Sequence, residues 1–495
     1  MAADTLSRTL KMSRVTAMVV AVCVVDSITI AYDGSLMGSV NVMPSYVSYF
    51  DLTTTTKAVN SAATYISSIL IAPFAAVYID RRGRKEGILA SALLNVLGAA
   101  ISGAAQNIAM FIAGRMVIGL GVGLAQTAAG SYVSETTAPR VRSFASGMYF
   151  TCWALGSFLA AGFCYGSQGL EPSNWAWRVP SILQALPPLA VLVIIPFLPE
   201  SPRWLAYNDR QEEALQVVGR INGSTTDDVG VQVQFREIVD SMEYEKSKGD
   251  SLGFREIVRG APNRRRLMLA LSLAPLTMLT GSNVITYYYG TMMDQAGITS
   301  SKTQMEINLV LSAWQLVIAV CGSLSAERLG RRALCLWSLG LCTAMFYLVG
   351  ALTAVYGGSS NASGVYGTVA AVFLFLGAYS FGLTPLTVMY PPEVMSYKIR
   401  ATGMACFTIL AKASGIFVTM VFPYMFEALG WKTYVVNASW NVAFWLYVYF
   451  FWVETRGKTL EEIEVLFDGG KHSDAPDLDK LGDEKTVMVT VETER

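Results

Sequence analysis

Charge is scarce in this chain, and the scarcity argues against an ordinary water-soluble protein. Only 15% of its 495 residues are charged and 53% are hydrophobic, whereas soluble domains average about 25% charged residues. Lys and Arg together number 37, as do Asp and Glu, so the chain lacks the net positive charge of a nucleic-acid-binding protein. We therefore expect a lipid bilayer as its partner, and no nucleic acid.

Histidines and paired cysteines are also lacking, which removes several kinds of chemistry. The one histidine, His472, lies in a polar segment, and the seven cysteines are scattered through apolar stretches without a CxxC pair. Such cysteines are typical of small buried hydrophobic residues and indicate neither a metal site nor a disulfide framework. No nucleophile–base pair or phosphate-binding loop is visible. We expect no enzymatic activity, no metal and no cofactor.

Long apolar stretches take the place of charge. A helix needs about 20 mostly apolar residues to cross a bilayer. Twelve stretches approach or exceed this length: 15–36, 58–79, 87–105, 108–131, 145–165, 177–198, 267–289, 306–326, 333–355, 365–389, 402–424 and 434–453. No cleavable signal sequence precedes the first stretch, so we expect it to remain as a membrane helix. The pattern predicts an all-α membrane protein with twelve transmembrane helices.

The cations indicate an orientation for these helices. All but six of the 37 Lys and Arg residues lie in the N-terminal segment, the C-terminal tail and five alternate loops. Cytoplasmic loops of membrane proteins carry such an excess. We therefore expect both termini and the long central loop in the cytoplasm.

Three motifs at the predicted helix ends occur twice, at offsets of 247, 258 and 254 residues. They are 80–85 with 327–332, Glu135 and Arg142 with Glu393 and Arg400, and Glu200 with Glu454. Nearly constant offsets indicate two six-helix pseudo-repeats from a gene duplication. In membrane proteins built this way, the two halves rock about a site near the membrane centre.

The duplication divides the chain into five parts. They are a cytoplasmic N-terminus at 1–14, a six-helix half at 15–198, a cytoplasmic linker at 199–266, a second half at 267–453 and a cytoplasmic tail at 454–495. Helical patterns occur in the linker over 212–218 and 233–246 and in the tail over 459–467. The acidic end of the tail is typical of a solvated, disordered segment.

Motifs spread through the chain form a recognisable set. They are Gly114-Arg115, Trp-Arg-Val-Pro at 177–180, Pro-Glu-Ser-Pro-Arg-Trp-Leu at 199–205, Asn283 with Tyr287 and Tyr288, and Glu-Thr-Arg-Gly-Lys-Thr at 454–459. Together they resemble the major facilitator superfamily and, more narrowly, its sugar porter family. Residues 32–38 and 384–393 are similar to the fungal lactose-permease-like branch. The resemblance implies the major facilitator fold and transport by alternating access, often as proton symport.

Three functions follow from the resemblance. The first is proton-coupled uptake of a sugar or sugar-like solute across the plasma membrane. The second is transport or export of a small organic acid or secondary metabolite. The third is a non-transporting nutrient sensor, which the short tail after Glu454 disfavours. The expected partners of the transporter are a small-molecule substrate, protons and the bilayer, with the chain as a monomer.

Charged residues inside the predicted helices are the sharpest functional signal, because an ion at the membrane centre costs about 2.5–3.5 kcal/mol even on the insertion scale. Asp26 and Asp33 are seven residues apart and share one face of the first helix, and Arg115 opens the fourth. The resemblance implies Asp33 as proton carrier and Arg115 as its partner. A static ion pair near the interface is the alternative.

The candidate substrate site departs from the family pattern. Thr277, Met278 and Phe150 stand where sugar porters usually have glutamine, and Val388 stands where tryptophan is usual. The remaining hydrogen-bonding candidates are Asn283, Tyr287, Tyr288 and Gln315. Each of these four could instead serve helix packing.

Lys412 lies ten residues into the eleventh predicted helix. A cation at this position suggests an anionic group on the substrate or an acidic partner, Asp26 or Asp33. The alternative is that its aliphatic stem lets the ammonium reach one membrane interface.

Two sets of loop residues complete the candidates. The first combines cations and acids at helix ends, where ion pairs across the two halves could hold one conformational state; alternatively, the cations only fix the topology. Its members are Arg81, Arg82, Glu135 and Arg142, with Arg331, Arg332, Glu393 and Arg400. The second set fits the N-glycosylation pattern on the predicted outer side, with Asn361 favoured over Asn437.

Overall fold

The computed structural model of the chain is built almost wholly of helices. It describes residues 13–137, 139–248, 260–357, 359, 361–395, 397–456 and 467. The predicted tail helix at 459–467 therefore lies, except for its last residue, outside the described part.

The first half begins with the long helix α1, which starts where the Ser13 side chain accepts a hydrogen bond from the backbone of Thr16. Such a side-chain cap replaces a bond that the first turn of a helix cannot make. The helices are α1 (Arg14–Val40), α2 (Pro44–Phe50), α3 (Thr54–Arg82), α4 (Arg84–Gly103), α5 (Ile108–Glu135), α6 (Pro139–Ser167), α7 (Trp175–Leu183) and α8 (Leu186–Ile194). Helices α7 and α8 together form one membrane-spanning unit.

The linker folds into three helices, α9 (Pro202–Tyr207), α10 (Gln211–Asn222) and α11 (Val229–Lys248). The predicted segments 212–218 and 233–246 lie within α10 and α11. Leu205, Val217 and Ile221 form a small apolar cluster. The Thr16 hydroxyl at the start of α1 donates to the Ile221 carbonyl at 3.0 Å, so the linker is docked on the first half.

The second half repeats the arrangement of the first. Its helices are α12 (Ala261–Leu279), α13 (Ser282–Gln295), α14 (Ser301–Leu329), α15 (Arg331–Tyr356), α16 (Ala362–Ala378), α17 (Thr384–Val394), α18 (Tyr397–Leu429) and α19 (Lys432–Phe451). A π-helical turn at Tyr379–Leu383 joins α16 to α17. Gly281 separates α12 from α13 within a single membrane-spanning unit.

Ten of these helices or helix pairs, within the described residues, are long and apolar enough to cross a membrane. Helices α6 and α19 occupy the other two predicted spans, and α19 is rich in Trp and Tyr, which favour membrane interfaces. Large apolar side chains point outwards, with Trp337 81% exposed. The prediction of an all-α membrane protein is confirmed.

The two halves pack internally in equivalent ways. Helix α1 lies against α6, as α12 and α13 lie against α18. Helix α4 lies against α7 and α8, as α15 lies against α19. The most extensive contacts between the two halves are those of α1 with α13, α3 with α18, and α6 with α14. A site between the halves is therefore bounded by these six helices.

Glycine allows the closest of these helix contacts. A Cβ atom on Gly119 of α5 would lie 2.6 Å from the Thr64 carbonyl oxygen of α3. Between the halves, a Cβ atom on Gly38 of α1 would collide with the Thr286 carbonyl oxygen of α13. Small residues let membrane helices approach backbone to backbone, which strengthens their van der Waals packing.

Replacing Gly119 by alanine should destabilise the first half by about 1–3 kcal/mol, the usual cost of overpacking a tight contact. Gly130→Ala is the matched control, because Gly130 is on the same helix and a Cβ atom there would have no neighbour within 4 Å. Thermal unfolding of the purified proteins measures both changes. Equal melting temperatures for the two variants would contradict the proposed tight α3–α5 contact.

Candidate functional site

A buried ion pair joins α1 to α5. Nη1 of Arg115 lies 3.0 Å from Oδ1 of Asp33, and Nε of Arg115 donates to the Asn60 carbonyl at 3.1 Å. Arg115 is 1% exposed and Asp33 is 4% exposed. The two residues that the sequence suggested as a pair are therefore in direct contact, well away from water.

Lys412 of α18 brings a second cation to this pair from the other half of the protein. Its Nζ lies 5.5 Å from the centre of the Tyr65 ring, and it is close enough to Asp33 for electrostatic attraction. The Tyr65 and Tyr287 hydroxyl oxygens are 3.2 Å apart. Lys412 thus joins Asp33, Arg115, Tyr65 and Tyr287 in one interior cluster, which we call the charged cluster.

Asp26 does not join the charged cluster. It is 3% exposed, and its Oδ2 has no hydrogen-bond partner among the described residues. Arg115 bonds to the carboxylate of Asp33, and the attraction on Lys412 comes from Asp33 as well. Of the two acidic partners considered for Lys412, the geometry favours Asp33. The charged cluster then holds two cations and one carboxylate.

A polar cavity of about 50 Å³ lies between α1 and α6 on one side and α13, α14 and the π-helical turn on the other. Its polar lining includes Ser35, Ser157, Asn308, Gln315, Tyr379 and Ser380. Hydroxyl and amide groups of this kind can bind a polyhydroxylated solute. The volume holds only a few water molecules, so binding of a larger solute requires the halves to separate.

The other substrate candidates bond mainly to the protein itself. The Thr277 hydroxyl donates to the Leu273 carbonyl at 2.9 Å, the Asn283 amide to the Met278 carbonyl at 3.1 Å, and the Tyr288 hydroxyl to the Thr419 carbonyl. Tyr287 and Tyr288 also line a second pocket of about 280 Å³, together with Asn41, Lys57, Asp294 and Gln304. Among the candidates whose side chains the structure describes, only Gln315 lines the cavity. The side chain of Phe150 lies outside the described part of the chain.

One face of the bundle carries the repeated motifs at 80–85 and 327–332, and we call it the motif face. Its ion pairs involve only some of the predicted gating residues. Arg84, which was not among the predicted gating residues, lies 3.2 Å from Glu135, whereas Arg81 and Arg82 are exposed. In the second half, Arg331 lies 2.9 Å from Glu393. Both ion pairs lie within one half and not across the two halves, where they were expected.

Of the remaining predicted gating residues, those whose side chains the structure describes form no further ion pair. Arg332 donates to the Tyr449 carbonyl at 2.5 Å. The side chains of Arg142 and Arg400 lie outside the described part of the chain.

Glu200 and Glu454 occupy equivalent places at the motif face. The Glu200 carboxylate accepts from the backbone of Arg84 at 2.9 Å, and the Glu454 carboxylate accepts from the backbone of Arg331 at 2.7 Å. A carboxylate at a helix N-terminus satisfies unpaired N–H groups and is favoured by the helix dipole. The repeated Glu motif therefore anchors the start of α4 in one half and of α15 in the other.

Five side-chain hydrogen bonds among the described residues join the two halves directly. They are Thr54 with Glu427, Thr55 with Tyr424, Ser39 with Asn308, Tyr165 with Glu306, and Tyr65 with Tyr287. The first four lie near helix ends on the face opposite the motif face, and the fifth lies between the faces. The halves are therefore fastened together on the opposite face.

Several site residues could not be recognised in the sequence. Tyr65, Ser35, Ser157 and Tyr379 are single polar residues in apolar helices, and such residues are usual in helix packing. Only the approach of the two halves gives them a common location. The close packing of Gly415 on the Tyr65 ring, where a Cβ atom would lie 2.7 Å away, is visible only in the structure.

Two pseudo-symmetric helical halves around a buried ion pair and a polar cavity define a membrane transporter of the major facilitator fold. The family model described as "Sugar (and other) transporter" matches residues 19–467. The chain therefore belongs to the sugar porter family of the major facilitator superfamily, as the motifs indicated, and it is a transporter and not an enzyme.

Named relatives and solved structures agree with this family. The chain is 30% identical to a high-affinity glucose transporter of Kluyveromyces lactis, over 79% of this chain and 73% of the relative. It is 27% identical to a probable quinate permease of Aspergillus clavatus, over 90% and 87%. The inward open xylose transporter XylE from E. coli shares its fold with a TM-score of 0.75 at 19% identity, over 91% of this chain and 100% of that one.

Asn361 should carry N-linked glycan, whereas Asn437 should not. Asn361 is exposed at the start of α16, while Asn437 is fully buried and its amide donates to the Leu279 carbonyl at 2.8 Å. A glycosidase should increase the electrophoretic mobility of the wild-type protein and leave Asn361→Gln unchanged. Asn222, followed by Gly and Ser in the linker, also fits the acceptor pattern but lies on the predicted cytoplasmic side. A shift that persists in Asn361→Gln but disappears in Asn222→Gln would therefore reverse the predicted orientation.

Proposed function

We propose that this transporter takes up a sugar or a sugar-like polyhydroxylated solute together with a proton. The observation that carries the proposal is the charged cluster, in which Asp33 meets one cation from its own half and another from the opposite half. The polar cavity between the halves offers hydroxyl and amide groups to the solute. A glucose transporter among the relatives and a proton:xylose symporter among the structural neighbours are consistent with this assignment.

The cluster couples proton binding to movement through electrostatics. Asp33 and Arg115 belong to the first half and Lys412 to the second, so rocking of the halves changes the distance between Lys412 and Asp33. A carboxylate loses its proton more readily beside a cation and holds it more readily when buried without one. Alternating these two surroundings lets Asp33 take up a proton in one state and release it in the other.

The proposed cycle also assigns roles to the two faces. The hydrogen bonds from Thr54 and Thr55 to α18 close the face opposite the motif face in the described state. The ion pairs of Arg84 and Arg331 lie within single halves and brace the helix ends at the motif face. Because Lys and Arg are concentrated there, we propose that the motif face is cytoplasmic, in the plasma membrane.

An anionic solute is the second candidate, and Lys412 is the observation that favours it. Two cations and one carboxylate leave the charged cluster one positive charge in excess, so a carboxylate on the solute would balance it. A probable quinate permease is among the relatives. An uptake screen with radiolabelled sugars and organic acids, each at two external pH values, distinguishes the two candidates.

Asp33→Asn should abolish accumulation of the transported solute against a gradient while downhill exchange persists, because the amide cannot carry the proton. Asp26→Asn is the matched control, since Asp26 is equally buried on the same helix and lies outside the charged cluster. Accumulation in vesicles with an imposed pH gradient is the measurement.

Loss of one partner from a buried ion pair costs about 3–5 kcal/mol, so rates are normalised to the amount of folded transporter. Undiminished accumulation by Asp33→Asn would sink the assignment. Loss of accumulation in Asp26→Asn alone would transfer the role to Asp26.

Lys412→Met should weaken transport of an anionic solute by roughly 10- to 100-fold, because a hydrogen bond to a charged group is worth about 1.5–3 kcal/mol. For a neutral sugar, KM should change little while the pH profile changes, because Asp33 loses one of its two cations. Lys57→Met is the control, as Lys57 lies beside Asp294 in the second pocket. KM values for labelled glucose and quinate, measured across pH, decide between the two solutes. If neither the KM values nor the pH profile changes, Lys412 has no role in the site.

A further inference from the structure

The charged cluster and the polar cavity lie on opposite sides of the contact between α1 and α13. Asp33 belongs to the cluster and Ser35 lines the cavity, and two residues along a helix are about 200° apart around its axis. Tyr287 and Ile285 are divided in the same way on α13. Helices α3 and α18 enclose the cluster side, whereas α6 and α14 enclose the cavity side. The cluster and the cavity are therefore separate compartments between the halves.

Lys412 is the part of the charged cluster whose charge is not balanced. Asp33 attracts it, but the same carboxylate already lies 3.0 Å from the guanidinium of Arg115. The Tyr65 ring, with its centre 5.5 Å from the ammonium nitrogen, offers a cation–π contact and no full negative charge. An ion inside a membrane usually has a partner of opposite charge. One negative charge is thus missing among the described residues of this compartment.

Hydrogen-bond donors without an acceptor surround Tyr65. The Tyr65 and Tyr287 hydroxyl oxygens are 3.2 Å apart, so one O–H group donates to the other tyrosine, and the second O–H group has no acceptor among the described residues. Lys412 adds the three N–H donors of an ammonium group, and these too lack an acceptor in the described part of the chain. Such a group of donors calls for a ligand that accepts hydrogen bonds and carries negative charge.

The unused donors are also the accessible part of the cluster. Lys412 and Tyr65 are half-buried, whereas Asp33, Arg115 and Tyr287 are buried. A small ion can therefore reach the ammonium and the tyrosine hydroxyls without entering the ion pair.

We propose that Lys412 and the Tyr65–Tyr287 hydroxyl pair bind one monovalent anion, at a site separate from the polar cavity. The ligand is either a free ion such as chloride or the carboxylate of a solute, and only the second source rests on the proposed function. Tyr65 belongs to the first half, and Tyr287 and Lys412 belong to the second. An anion bound to all three bridges the halves and stabilises the described state, in which the halves are in contact.

Chloride is the probe for this site, and the sample is the full chain purified without solute. Chloride replaces isethionate, a larger anion, at constant ionic strength, so that general screening stays the same. Melting temperatures over a range of chloride concentrations give its Kd, because a ligand stabilises the folded state in proportion to ln(1 + [L]/Kd). In Lys412→Met, the Kd should increase by about 10- to 100-fold, the factor that corresponds to a hydrogen bond with a charged group.

Lys432→Met is the matched control, because Lys432 is an exposed lysine of the same half, at the start of α19. It should keep the wild-type Kd. The double variant Tyr65→Phe/Tyr287→Phe removes the hydroxyl donors and keeps both rings, and its Kd should increase at least about tenfold. If either Lys412→Met or the double variant does not fold, the other tests the site by itself, since one changes the charge and the other only the hydroxyls.

Competition distinguishes the two sources of the anion. Quinate should raise the apparent Kd of chloride if a solute carboxylate enters the site, and should leave it unchanged if the site takes free ions only. Glucose should leave it unchanged in both cases, because a neutral sugar has no charge to replace that of chloride.

Failure of chloride to stabilise the wild-type protein would overturn the proposal, as would equal Kd values for the wild type and Lys412→Met. An equal loss of binding in Lys432→Met would also overturn it, because that result indicates a general effect of surface charge. Competition by glucose would contradict the separation of the two compartments. Since the chloride titrations contain no solute, their failure would leave the proposed transport function untouched.

Discussion

A polar group inside a bilayer must find its partner within the protein, and this constraint underlies the whole architecture. Continuous helices meet it through their own backbone bonds. Where a helix is interrupted at Gly281, side chains from α13, α19 and the π-helical turn supply the missing donors. Where a charge is buried, as with Arg115, a carboxylate and a backbone carbonyl surround it.

The same constraint links polar contacts to movement. Partners that belong to one half, such as Arg115 with Asp33 or Asn441 with Thr280, move together. Partners drawn from different halves, such as Lys412 and Asp33, separate in the proposed cycle when the halves rock. A transporter needs both kinds, since the fixed partners keep each half intact and the others distinguish one state from the next.

Sequence reasoning predicted the elements of the fold well because membrane helices have a strong one-dimensional signal. The apolar stretches predicted the helices. The repeated Glu200 and Glu454 motifs predicted equivalent positions in the two halves, and in the structure each glutamate anchors the start of a helix. The pairing of Asp33 with Arg115 followed from the cost of buried charge and from family resemblance. At the motif face, however, neighbouring arginines could not be ranked, and Arg84 makes the ion pair with Glu135 that the motif predicted for Arg81 and Arg82.

Asn437 illustrates the limit most clearly. Its acceptor pattern suggested a surface glycan, yet the residue is buried and bonds to the carbonyl of Leu279, 158 positions earlier in the chain. A three-residue pattern carries no information about burial at that distance.

The sequence by itself determined the membrane location, the helical class, the duplication and the family, because each depends on composition or on motifs read along the chain. Tertiary structure decided which polar residues share a site. Tyr65, Tyr287 and Lys412 meet only because three helices from two halves converge. Contacts of this kind depend on helix rotation and on close approach at glycine, and neither is encoded in the local sequence around any one of the residues involved.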